Sequence, residues 1–123
     1  MKHFHLEING IPYGKDKNRG KINAPAEWTR EIIRQTEYLP KVKNACIMKV
    51  TFLLPPDKYP RNLPFGSDLD NLLKRFLDAL NNTIFSNTNG KDSCVVSMCV
   101  SKTKVDSNKQ AGALLEIIPV SVD

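Results

Sequence analysis

Between His3 and Ile8 the chain alternates, with Phe4, Leu6 and Ile8 on one side and His5 and Glu7 on the other. A period of two marks a half-buried strand. Asn9-Gly10 ends it, and a basic stretch runs on to about residue 22. Asn23 is a good helix cap, and Pro25 suits a first turn, where its missing N–H costs nothing. The spacing predicts a helix to about Tyr38, with Trp28, Ile32, Ile33, Gln35 and Leu39 on or near its inner stripe. Pro40 stops it. Cys46 to Leu54 is β-branched and apolar and reads as a central strand. Residues 55–64 hold four of the eight prolines, which makes them a stiff loop.

The next helix is the best-defined element. Leu69, Leu72, Leu73, Phe76, Leu77 and Leu80 repeat at the helical period, and Asp70, Asn71, Lys74, Arg75 and Asp78 take the other side. Asn81-Asn82 ends it, and residues 86–91 form a polar turn. Ser93 to Thr103 is a strand with Val96, Met98 and Val100 on one face. After a polar connection at 104–111, Gly112 to Val120 is the last strand, expected to pair as a hairpin with the one before. The order β-α-β-α-β-β predicts a two-layer α/β (α+β) domain spanning residues 1–123. Its mixed β-sheet has two main helices, mainly on one face.

Composition narrows the function classes. A hydrophobic fraction of 41% and a charged fraction of 25% are globular values. No apolar run approaches a membrane span, and MKHFHLEING has no apolar signal core, so no membrane partner is expected. Three cysteines, Cys46, Cys94 and Cys99, make no even framework, and a reducing cytoplasm is the expected home. The net charge of +5 favours an acidic partner such as nucleic acid. Lys15, Lys17, Arg19 and Lys21 alternate with Gly14, Asn18 and Gly20 in a basic loop suited to a solvated surface or to phosphate contact.

Asp68 and Asp70 stand two residues apart at a helix start. They can serve as cap and first-turn acid, which the helix dipole favours. The alternative is that they ligate a hard cation such as Mg2+ or Mn2+, which takes one or two carboxylates with waters and substrate phosphate. Lys74, four residues after Asp70, shares its helix face, either as an ion pair or as a cation beside a phosphate. Asp92 lies in the polar turn before a strand and gains interest if the fold sets that strand beside the helix start. His3 and His5 lie on an outward strand face, and no C-x-x-C pairing supports zinc. No phosphate-binding Gly loop, G-x-S-x-G or H-E-x-x-H occurs, so neither a nucleotide cofactor nor a nucleophilic triad is expected.

Residues 68–80, DLDNLLKRFLDAL, resemble the central motif of the RusA family of Holliday junction resolvases, D-x-D-N-L-x-K followed by x-x-L-D-A-L. The family's D-S-Q-V turn and strand is similar to Asp92-Ser93-Cys94-Val95, with Lys102 ten residues on. The opening strand, Gly10-Ile11-Pro12 and the basic loop also look alike, so the resemblance runs from about residue 4 to 118. It implies a homodimeric, Mg2+-dependent endonuclease, with Mn2+ able to substitute, that resolves four-way junction DNA by paired symmetric nicks leaving 3′-hydroxyl and 5′-phosphate ends. Family metal ligands map onto Asp68, Asp70 and Asp92, and the essential lysine onto Lys74. The basic loop (Lys15, Lys17, Arg19, Lys21) with Arg61, Arg75 and Lys102 would hold junction arms through phosphates. The chain departs from the family in having Lys91 before Asp92, a longer turn, and Cys94 where Gln is frequent. Phe65, just before the motif, is either a packed loop aromatic or a wedge at a crossover.

Two other readings compete. One is a catalytically weak DNA-binding homologue whose carboxylates only cap the helix. The other is a single-strand or RNA-binding domain, which would stack bases on sheet aromatics. Aromatics are only 7%, and the two strands at 46–54 and 93–103 offer only Phe52, which weighs against the latter.

Overall fold

A computed structural model describes residues 3–14, 23–59 and 61–120. The elements are β1 (Phe4–Asn9), α1 (Ala24–Thr36), β2 (Cys46–Leu54), α2 (Leu69–Leu80), β3 (Val95–Lys104) and β4 (Gly112–Pro119), with short 3-10 turns at Pro56–Lys58, Lys91–Cys94 and Asn108–Gln110. This is the expected α+β order. Among the described residues no helix is long and apolar enough to cross a membrane.

The sheet runs β1-β4-β2-β3, with β4 antiparallel to both β1 and β2 and β3 parallel to β2. The expected hairpin between the last two strands does not form. A parallel neighbour needs a long crossover, and the segment holding α2 supplies one between β2 and β3. β4 instead takes an inner place, with Ala113, Leu115 and Ile117 buried, while the largely exposed β3 tolerates an edge. The link between them starts at the end of β2, where the Val105 N–H donates to the Leu54 carbonyl at 2.9 Å. Gly112 makes the β1–β4 pairing possible. Its φ is +153°, and a Cβ there would fall on the Ile8 carbonyl oxygen.

The expected alternation in β3 also breaks. Cys46 pairs with Val95 but Ile47 pairs with Ser97, so Val96 is an extra residue and stands 62% exposed. Met98, opposite Met48, and Val100, opposite Val50, resume the pattern, but Met98 is exposed and only Val100 packs on the core.

Both helices cover one face. β2 contributes Met48, Val50, Phe52 and Leu54, and β1 and β4 contribute Ile8, Ala113, Leu115 and Ile117. Above them Phe76 of α2 meets the Phe52 ring edge-on at 5.5 Å and stacks with Trp28 of α1 at 6.3 Å. The stripe of α1 is Trp28, Ile32 and Thr36. Gln35 does not join the core; its amide exchanges two hydrogen bonds with the Asn9 backbone, at 2.8 and 2.9 Å. Asn23 precedes α1 but its side chain makes no capping bond.

The Cys46 thiol is fully buried beside Cys94, and burial above all pushes it from an ordinary 9.0 up to about 12. The folded chain therefore keeps this proton to higher pH than the unfolded chain. Its contribution to stability is complete below about 9 and is lost as pH rises towards about 12. Thermal melts across that range are expected to fall more steeply for the wild type than for Cys46→Ala.

Candidate functional site

The start of α2 is held from two sides. Gly66 and Ser67 are buried, and the Ser67 carbonyl accepts a hydrogen bond from Lys102 Nζ of β3 at 2.8 Å. Asp68 follows with an extended backbone and caps the helix through its carbonyl, which accepts from the Leu72 N–H at 3.1 Å. Its carboxylate makes no capping bond, and both Asp68 and Asp70 are exposed. Their charges sit at the positive end of the helix dipole without being consumed in the cap. Lys74 is exposed one turn beyond Asp70, on the same face. The structure thus brings Asp68, Asp70 and Lys74 together.

Asp92 is placed elsewhere. It lies in the Lys91–Cys94 turn, entered through Gly90 at φ +82°. Asn81, the C-cap of α2, grips it twice: Asn81 Nδ2 donates to Asp92 Oδ2 at 3.0 Å, and the Asp92 N–H donates to Asn81 Oδ1 at 3.1 Å. A helix of 12 residues is about 18 Å long, so Asp92 stands roughly that far from Asp68 and Asp70. The cause is the crossover. β3 runs antiparallel to α2, so its start lies at the end of the helix and its end, with Lys102, at the helix start. Among the described residues no group of three His, Cys, Asp or Glu side chains gathers closely enough to hold a metal ion. Asp68 and Asp70 by themselves offer the hard oxygen donors that suit a cation retaining its waters.

The basic residues divide by role. Lys15, Lys17, Arg19 and Lys21 lie outside the described residues. Arg75, expected at phosphates, turns inward. Its Nε donates to the Gly14 carbonyl at 3.0 Å, and its Nη1 donates to the Pro25 carbonyl at 3.4 Å and to Thr29 Oγ1 at 3.2 Å. One guanidinium thereby ties down the chain on both sides of the basic segment. Gly14 also rests against Asn71, where a Cβ would come within 3.1 Å of the Asn71 Cβ. The segment is rooted on α2 next to Asp70. Arg61 is exposed on the proline-rich loop.

Further cations collect at this end. Lys58 Nζ lies over the Tyr13 ring at 3.0 Å, and Lys104 Nζ over the Tyr59 ring at 5.4 Å. Burial, with Asp57 and Glu27 nearby, raises the Tyr13 phenol above its ordinary value. Sequence reasoning missed Asn81 as the holder of Asp92. It was legible only as a helix stop, since nothing local says which side chain a C-cap meets. A cleft of about 650 Å³ lies between Pro40, Lys41, Lys43, Ala45, Asn87 and Pro119, with no carboxylate in its wall. The carboxylates instead sit on an open helix surface, which suits a large substrate.

The profile of the family named endodeoxyribonuclease RusA matches residues 19–117 of the 123-residue chain. A search of curated proteins gives no match.

The geometry separates the two arginines. Arg75→Ala takes away the donor that the buried Gly14 carbonyl accepts from and is expected to cost about 1–3 kcal/mol. Arg61→Ala should stay within about 0.5 kcal/mol of wild type. Urea unfolding of both variants is the check.

Proposed function

Because the chain belongs to the endodeoxyribonuclease RusA family, we propose that it resolves four-way DNA junctions by paired symmetric nicks, as a cytoplasmic, Mg2+-dependent homodimer. The observation that carries this reading is the start of α2. Two carboxylates stand clear of the cap, with an ammonium one turn away and basic residues around them.

Asp68 and Asp70 would hold the divalent cation, Mg2+ or Mn2+, and Asp92 would complete the set. When bound, the cation supplies Lewis-acid chemistry, acidifying a water and neutralising phosphate charge. Lys74 supplies a positive charge for the phosphoryl oxygens as they gain charge, or a proton for the leaving 3′-oxygen. Arg61 and the basic segment hold the backbone of the arms, a sequence-independent contact that reads shape. Lys102 acts first on Ser67, and so fixes where Asp68 stands.

The separation of the acids along α2 supports the homodimer in this reading. A two-fold axis beside the middle of this helix sets the two copies of α2 antiparallel. Asp92 of the partner subunit then comes to the Asp68 and Asp70 end, and two equivalent sites face two equivalent strands.

The weak-homologue reading needs the carboxylates as caps, and the Asp68 side chain does not cap. The base-stacking reading needs aromatics on the open sheet face. That face carries His5, Glu7, Lys49, Thr51 and Leu114, and Phe52 is buried.

On a synthetic four-way junction with Mg2+, wild type should give symmetric nicks, Asp70→Asn should bind without cutting, and linear duplex should stay intact. Binding without cutting by the wild type, in Mn2+ as well, would instead support the weak homologue. Mixing Asp70→Asn with Asp92→Asn subunits tests the shared site. Each mixed dimer keeps one intact site, so unpaired nicks should return at about a quarter of wild-type sites. Sites built within single chains would give none. Asn81→Ala should keep the fold by circular dichroism and lose about 10- to 100-fold in nicking rate, as loss of a group that orients a ligand does.

A further inference from the structure

Phe65 stands 79% exposed, three residues before Asp68. Its backbone is fixed. The Gly66 N–H donates to the Leu63 carbonyl at 3.0 Å, closing a four-residue turn with Pro64 second, Phe65 third and Gly66 fourth. Proline and glycine are favoured at those positions. Gly66 has φ +75° and is wedged so tightly that a Cβ would lie 3.3 Å from both the Lys58 carbonyl oxygen and the Tyr59 ring. The next residue, Ser67, is buried and held by Lys102 at 2.8 Å. An apolar ring is therefore presented to solvent at the tip of an anchored turn.

Its surroundings define what it suits. The same end of the molecule carries Asp68 and Asp70, the exposed Arg61, and Lys58, Lys102 and Lys104. A flat apolar face among cations, beside acids placed to act on a phosphodiester, matches a ligand that is itself a flat ring on a phosphate backbone. We propose that Phe65 stacks on a nucleobase unpaired or unstacked at the junction crossover, and that this contact selects junctions over linear duplex. In intact duplex the base faces are covered by their neighbours, whereas a crossover exposes them. The turn holds the ring in place beforehand, so little ordering is needed on binding. The inference rests on the junction-nuclease reading and names the residue that distinguishes its substrate.

The test measures binding to a four-way junction and to linear duplex, without divalent metal, for the wild type and for Phe65→Ala, Phe65→Trp and Tyr38→Ala. Tyr38 is equally exposed but lies beyond the end of α1. Phe65→Ala is expected to lose roughly 5- to 100-fold in junction affinity with duplex affinity unchanged, and Tyr38→Ala to lose nothing. Phe65→Trp should keep junction affinity, and its added indole emission should be quenched by junction and not by duplex, against the constant signal of buried Trp28. Wild-type binding with no junction preference would overturn the functional reading and this inference with it. A wild-type preference that Phe65→Ala retains would overturn the inference alone. So would a lower dimer fraction of Phe65→Ala in sedimentation, which would assign the ring to subunit contact.

Discussion

Phe76 is the contact on which the working parts of this fold depend. It presents its ring to Phe52 below and Trp28 beside it, and so fixes α2 at once against the central strand and against α1. A helix held by an edge-on aromatic pair and a stacked one has little freedom to roll. Rolling would matter because each side of α2 has a separate task. Leu72 and Phe76 point inward, Asn71 and Arg75 root the basic segment, and Asp70 and Lys74 face solvent. With adjacent columns given to packing, tethering and exposed charge, the orientation of one helix sets where the flanks of the basic segment stand relative to the acids.

Much of this was legible from residue spacing. The limits of β2 and α2 follow from hydrophobic period and from Pro55 and Asn81 at their ends. Strand partners were not legible. A short polar link suggests a hairpin, but the inner place in the sheet went to β4, whose buried Ala113, Leu115 and Ile117 need cover on both sides. The bulge at Val96 was invisible because one inserted residue has no composition signal. At the site, the spacing of Asp68, Asp70 and Lys74 on one helix guarantees their nearness. The position of Asp92 depends on the direction of β3, a tertiary fact. Arg75 looked like a surface cation, yet it is the clasp of the segment beside it, because a long side chain on a packed helix reaches carbonyls distant in sequence.

The layout gives the molecule two unlike ends. One gathers the helix start, the proline-rich turn, the roots of the basic segment and the ends of β2 and β3. The other has Asn81, Asp92 and the cleft near Pro40 and Pro119. In a family named for the cleavage of DNA, the acids Asp68 and Asp70 stand at one end of α2 and Asp92, held by Asn81, at the other.

The place of β4 also bears on how the chain is made. Residues 112–119 are the last to be synthesised among the described elements, yet they form an inner strand that joins β1 to β2. Until they arrive, the amino-terminal strand has no partner and the sheet beneath the helices is split. Closing it needs a contact between Phe4 and Ile117, near the two ends of the described chain. Such distant pairing makes folding late and cooperative, with slow closure as its entropic consequence. Before residues 112–119 have been made, the helices have no complete sheet to cover.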